Sequence, residues 1–389
     1  MDKLEKWVAG LRREFHMHPE LALREERTSK RAAEILESLG LEVVTGYAGT
    51  GVTGLLRGKN PGKTVGLRAD MDALPIQEEN NVEYKSTVPG LMHACGHDAH
   101  TAILLGAAKK MAESNLAEKL SGNVKFIFQP AEEGVRGAKA IIDEGVMEDP
   151  HVDAAFALHV SNDYLCGEIG LYESISNASS DRFKAVIKGR GCHAAAPDRG
   201  SDAILAACHF VAQIQSIVSR NVDPVEPAVV SVGIIKGGTA ANILPGEVVI
   251  EGTTRAFRED VRGVLKKRLS EFACSLAGAF DLDGVDYSYI DGCPPCVNSP
   301  EAVSVARSAA GKSAGVKNVR TVEPKMGAED FAYFAEKAPS ALLRLGTGNP
   351  GKGITGLAHS PVFDIDEDAL IIGVDVFVEI VKEYFRRTD

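Results

Sequence analysis

The ten residues Leu91-Met92-His93-Ala94-Cys95-Gly96-His97-Asp98-Ala99-His100 hold three histidines, a cysteine and an aspartate. A hydrophobic core has no use for that mixture. Thiolate, imidazole and carboxylate groups crowded onto one short loop are the donors a transition metal takes. A helix start with a few surface histidines would give the same local composition, so the loop alone leaves both readings open. Cys95 and His97, two residues apart, would project to the same side of an extended segment. Glu132 and Glu133 adjoin, and on a turn their side chains diverge, so one can bind a cation while the other moves a proton. Two carboxylates on a surface loop are the plainer alternative. His159 closes the apolar run 154–158, and His359 lies in Gly356-Leu357-Ala358-His359-Ser360-Pro361. Each of these two, taken alone, reads equally as a satisfied core or loop histidine.

The elements that must carry these residues follow from periodicity. Leu4, Trp7, Val8, Leu11 and Phe15, then Ala32, Ile35, Leu36 and Leu39 before Gly40, recur at helical spacing. Segments 64–67, 124–128 and 152–158 read as buried strands of a largely parallel sheet, with a helix over 101–111. These strands run into Arg68-Ala69-Asp70-Met71-Asp72, Gln129-Pro130-Ala131-Glu132-Glu133-Gly134 and His159. Ligands of α/β sheets collect outside the carboxyl ends of strands. Residues 182–188, 202–219, 228–235, 247–255, 264–279 and 285–290 then read in the order βαββαβ, a ferredoxin-like split unit. Helices are expected again over 303–310, 330–336 and 369–385, with a strand over 341–345. The expected fold is α/β: a largely parallel-sheet catalytic domain of residues 1–179 and 293–389, with a smaller domain of residues 180–292 inserted.

Composition narrows the function classes. A chain of 389 residues exceeds one ordinary core. Its 44% hydrophobic and 25% charged residues are those of soluble globular proteins. A net charge of −11 without a basic stretch argues against nucleic acid or an anionic membrane surface as partner. The start, Met1-Asp2-Lys3-Leu4-Glu5-Lys6, does not read as a signal peptide, and no run is expected to reach the length of a membrane span. The expected location is cytoplasmic. Seven cysteines, an odd number, suit reduced thiols. Cys293-Pro294-Pro295-Cys296 reads as a proline-rich linker, since no second such pair exists to complete a zinc site.

Several segments together resemble the aminoacylase-type metallopeptidases and amidohydrolases. They are Arg13-Glu14-Phe15-His16-Met17-His18-Pro19-Glu20-Leu21, Arg68-Ala69-Asp70-Met71-Asp72-Ala73-Leu74-Pro75, His93 through His100, Gln129 through Gly134, Asn242-Ile243-Leu244-Pro245, Gly327-Ala328-Glu329-Asp330-Phe331 and His359-Ser360-Pro361-Val362-Phe363-Asp364. The matches run in the family's order over nearly the whole chain. Within it they resemble the branch holding hippurate hydrolases, N-acyl-amino-acid hydrolases, auxin-conjugate hydrolases and aminobenzoyl-glutamate hydrolases.

The resemblance implies two divalent ions held by Cys95, His97, Glu133, His159 and His359, with the thiolate able to bridge them. Mixed sulfur, nitrogen and oxygen ligation suits zinc, manganese, cobalt or nickel. Glu132 would be general base and acid, and Asp72 would steer a ligand imidazole. Asp70, Asp98, His93 and His100 are left with supporting roles. His193, in Gly191-Cys192-His193-Ala194-Ala195-Ala196-Pro197, would face the developing oxyanion, supplied across a dimer interface, so that the inserted domain acts as lid and dimer contact. A homodimer or higher homo-oligomer is implied. The implied reaction is hydrolysis of the amide of an N-acyl amino acid (acetyl, benzoyl or a similar acyl group), its carboxylate held by Arg255 with Asn242 beside it. A dipeptidase or carboxypeptidase acting on short peptides with the same metals is the alternative within the enzyme class. A non-catalytic metal-stabilised binding protein is the alternative outside it, and Glu132 speaks against that, having no use there. Two positions depart from the family: Asp198 stands where a histidine is usual, and Ala358 where leucine is common.

Overall fold

The computed structural model describes residues 3–114, 116–134 and 137–388. By contacts the chain divides into two compact units, one of residues 1–176, 297–323 and 330–389, the other of residues 177–296 and 324–329.

The first unit is built on an eight-stranded sheet. Its spatial order is Glu42–Tyr47, Gly51–Arg57, Ser121–Gln129, Asn60–Asp70, Ala154–Leu165, Ser340–Gly348, Glu168–Leu171 and Asn318–Thr321. The four central strands run parallel. They are the near-continuous apolar runs that burial on both faces demands. The first two strands form an antiparallel hairpin that extends the sheet at its edge. Over the sheet pack the helices His97–Glu113 and Asp368–Thr388, with Lys3–Met17 against both helices, and together they bury Val8, Phe15, Ile103, Leu104, Val374 and Phe377. Their close approach is set at Gly106, where a Cβ would lie 2.6 Å from Val374 Cγ2 and 2.8 Å from Val8 Cγ2.

The second unit has a four-stranded antiparallel sheet in the order Ala228–Gly237, Glu247–Ala256, Ser180–Lys188, Gly284–Cys293, with helices Ala203–Asn221 and Glu259–Ala279. This is the ferredoxin-like βαββαβ order. The Ala203–Asn221 helix is long and apolar enough to cross a membrane by length and composition, which corrects the expectation that no segment is. It instead turns Ala206, Ala207, Phe210, Ile214 and Ile217 into this unit's core.

Other differences from the sequence reading have local causes. The helix expected at 101 starts at His97, because its polar first turn hides the apolar period. The edge strand Glu42–Tyr47 and the strands Glu168–Leu171 and Asn318–Thr321 are too short or too exposed to show a pattern. The helix expected over 330–336 is a single turn, Ala332–Ala335. His159 lies within a twelve-residue strand rather than at its end. Pairing with Asn60–Asp70 stops at Ala157, which leaves His159 past the paired edge on that side.

Arg12, fully buried, ties this unit together. Its Nε donates to Asp98 Oδ2 at 2.9 Å and its Nη2 to Asp364 Oδ1 at 2.8 Å. Asp98 also accepts from His16 Nδ1 at 2.7 Å. Burial opposes the Asp98 charge, but Arg12 and His16 outweigh it and hold the carboxyl well below the usual range. Replacing Arg12 by Met leaves Asp98 buried without its cation, so a loss of about 3–5 kcal/mol is expected in urea unfolding. A loss under about 1 kcal/mol would show that the pair is not structural.

Candidate metal centre

Three segments meet at the carboxyl edge of the central strands. Cys95 and Gly96 end the loop before the His97–Glu113 helix, so the two donors sit on a turn and a helix start and not on an extended segment. Gly96 makes that turn at φ 87°, and a Cβ there would lie 2.3 Å from Val160 Cγ2. Both the left-handed backbone and the close approach require glycine. Cys95 Sγ comes within 3.6 Å of His159 Nε2. Across the site His359 Nε2 lies 3.2 Å from Glu133 Oε1. His359 has a positive φ of 66° and its N–H donates to Ala94 O at 2.7 Å, which fastens its loop beside Cys95.

The donor atoms form overlapping triads, each within 4.8 Å: Cys95–His97–His159, Cys95–Glu133–His359 and His97–Glu132–Glu133. Cys95, His97 and Glu133 are each shared by two of them. His97 Nε2 is buried and forms no hydrogen bond among the described residues, and the buried Glu133 Oε1 faces His359 Nε2. A buried imidazole nitrogen without a hydrogen bond is costly, and the S, N and O donor set is one that divalent transition ions accept. The site therefore fits two such ions.

Asp72 organises the site from behind. Its Oδ1 accepts from Glu132 N at 3.0 Å and its Oδ2 from Glu133 N at 2.8 Å. His97 Nδ1 reaches the same carboxylate at 3.2 Å. Glu25, buried, accepts from Ala131 N at 2.9 Å and from Thr50 Oγ1 at 2.7 Å, and Ala131 itself holds φ 55°. The turn bearing Glu132 and Glu133 is thus pinned on both sides of its strained residue. His100 donates to Asp70 Oδ1 at 2.5 Å and accepts from Val160 N at 2.9 Å, which explains it as a strut and not a ligand. His93 is buried and pushed down to about 4 by that burial, hence neutral.

The other expected site residues lie in the second unit. His193 is exposed on a two-residue strand, its register partner Ile243, and Ala194 N donates to Asn242 O at 3.0 Å, so His193 and Asn242 are neighbours. Arg255 is not beside Asn242. It sits eight residues along the Glu247–Ala256 strand, about 26 Å from the ribbon end at ~3.3 Å per residue. Its Nη1 bonds Thr254 O at 2.9 Å. Asp198 and Ala358 are both exposed. Sequence reasoning did not find Glu25, Gln129 or Arg68 as supports. A buried charge in a strand, as at Arg68, was the one available signal.

The model of peptidase family M20/M25/M40 matches residues 66–383. The chain belongs to that family. It is a metal-dependent amidohydrolase. A thermostable carboxypeptidase of Saccharolobus solfataricus is 40% identical over 374 residues, covering 95% of this chain and 93% of the relative. An IAA-amino acid hydrolase of Arabidopsis thaliana, ILR1-like 4, is 39% identical over 382 residues, 97% of this chain and 86% of the relative. A solved Bacillus subtilis structure, described as a dinuclear metal-binding peptidase of the M20 family, superposes with a TM-score of 0.86 at 33% identity, covering 99% of each chain.

Burial disfavours charge on His97, but Asp70, Cys95 and Asp72 outweigh it and raise its pKa. Hydrogen bonds to Cys95 and Glu133 push His359 up to about 10. His359 holds its proton near neutral pH in the ion-free site, the shift at His97 acts in the same direction, and a cation must displace such protons. Metal affinity is therefore expected to rise with pH up to about 10, by about one decade per unit for each proton released. Titration calorimetry in two buffers of different ionisation enthalpy counts those protons. An affinity unchanged between pH ~7 and ~9 would contradict this.

Proposed function

We propose that the protein hydrolyses the amide bond of N-acyl amino acids, acetyl, benzoyl or similar, releasing the acid and the free amino acid. The carrying observation is the divergence of two adjacent carboxylates pinned by Asp72 through both of their N–H groups. Glu133 turns its Oε1 to His359 Nε2 at 3.2 Å, while Glu132 Oε1 accepts the Asp330 N–H at 3.5 Å. Cys95, His97, Glu133, His159 and His359 would hold a pair of divalent ions, zinc, manganese, cobalt or nickel. When bound, these acidify water and polarise a carbonyl. Glu132 takes the proton of the attacking water and returns it to the departing amine, a contribution of about 10²–10⁴-fold.

In this reading residues 1–179 and 293–389 act as the catalytic domain, and residues 180–292 as lid and dimer contact in a cytoplasmic homodimer. His193 donates to the oxyanion, and Asn242 binds the substrate. Arg255 would take the carboxylate only by giving up its bonds to Thr253 and Thr254. The resemblance to an IAA-amino acid hydrolase supports the acyl-amino-acid reading. The carboxypeptidase relative supports short peptides as the alternative.

A panel of N-acetyl and N-benzoyl amino acids beside unblocked dipeptides separates these. Blocked amino acids are expected to be turned over. Turnover of dipeptides alone would transfer the reading to the peptidase. On the same panel Glu132→Gln is to keep its metal content and lose kcat by about 10²–10⁴, and His193→Ala is to lower kcat more than it raises KM. Wild-type turnover by Glu132→Gln would remove Glu132 as the base.

A further inference from the structure

Behind the site lies a buried cluster that the reaction just described does not use. Arg68, on the Asn60–Asp70 strand, donates through Nη1 to Asp70 Oδ2 at 2.8 Å, through Nε to Gln129 Oε1 at 2.7 Å and through Nη2 to Asp330 Oδ1 at 2.9 Å. Gln129 Nε2 donates to both oxygens of Asp330, at 2.8 and 2.9 Å. The arginine and Asp70 side chains are 1% and 0% exposed and that of Asp330 is 5% exposed. One guanidinium thus fixes the last residues of two neighbouring parallel strands and a residue more than 250 positions downstream.

Asp330 passes this constraint to the proton-transfer carboxylate in two ways. Its own N–H points at Glu132 Oε1, 3.5 Å away. Its Oδ2 accepts from Ala138 N at 2.9 Å, and the neighbouring Gly137 N donates to Ala131 O at 3.0 Å. The residues on either side of the Glu132–Glu133 turn are therefore both held. On the opposite flank Asp70 carries the same guanidinium's influence to His100 and, 3.7 Å away, to His97 Nε2.

We propose that Asp330, locked by Arg68 and Gln129, is the positioning residue for Glu132: its peptide N–H takes one carboxylate oxygen and so sets the direction in which the carboxylate faces the water it deprotonates. This rests on Glu132 being the base. Hydrogen bonds of this kind are often long before substrate binds. A displacement of about 1 Å in a reacting group can cost about 100-fold in rate, so fixing one oxygen matters.

The test uses the full-length, metal-loaded protein and its best N-acyl substrate. Asp330→Asn keeps the N–H but removes the charge that Arg68 and Ala138 N hold. It is expected to retain the wild-type metal content per folded chain and a KM within about threefold, while kcat falls about 10- to 100-fold. A purely structural role would lower the melting temperature and the folded fraction without moving kcat per metal-loaded chain. Gln129→Met, which leaves the Arg68–Asp330 pair intact but deletes both amide bonds to Asp330, is expected to lower kcat about 3- to 10-fold, and decides the matter should Asp330→Asn fail to fold. Turnover within about twofold of wild type in whichever variant folds, beside an inactive Glu132→Gln, overturns this proposal alone. Activity in Glu132→Gln would instead overturn the base assignment on which it stands.

Discussion

Asp72 is the carboxylate on which the site's construction depends. It sits two residues past the end of a central strand and accepts from Glu132 N and Glu133 N while facing His97 Nδ1. Those contacts bring together a helix start and the turn after a neighbouring strand. A carboxylate has about four acceptor positions, and here most are taken by groups that must not move. The imidazole that Asp72 faces has no hydrogen bond to its other nitrogen among the described residues, the arrangement in which an outer carboxylate fixes ring orientation and raises basicity.

Holding so many acids and imidazoles away from water needs compensation. The interior answers with buried arginines that each serve more than one carboxylate: Arg12 with Asp98, Asp364 and Glu367, and Arg68 with Asp70 and Asp330. A planar guanidinium with five donors suits that task where a lysine would not. Buried ion pairs add little net stability on their own. Their effect here is to fix where chain segments lie, since each arginine joins residues far apart in sequence. The strain at Ala131 and His359, both at positive φ, persists because hydrogen bonds to Glu25 and Ala94 hold it in place.

Much of this was legible from residues alone. The dense loop at 91–100 and the paired glutamates stand out because no packing rule produces them. The inserted βαββαβ order shows in periodicity. Less legible was anything that depends on neighbours distant in sequence. His93, His97 and His100 look alike in the sequence. Yet His97 leaves a buried nitrogen unpartnered, His100 is consumed by Asp70 and Val160, and His93 is a neutral buried ring. Arg255 and Asn242 looked adjacent, and an extended strand put them far apart.

The sequence by itself determined the chemistry on offer: which donor types exist, that two carboxylates adjoin, and that apolar runs of strand length deliver them to one edge. Side-chain chemistry and hydrophobic period are local properties, and local properties survive in a string. Tertiary structure alone decided which histidine bonds Asp70 and Val160, which one joins the cluster of Cys95 and the two glutamates, and which glutamate lies against His359. It also decided which buried arginine guards which acid. These follow from distances between residues up to 352 positions apart, set by how strands align and helices pack.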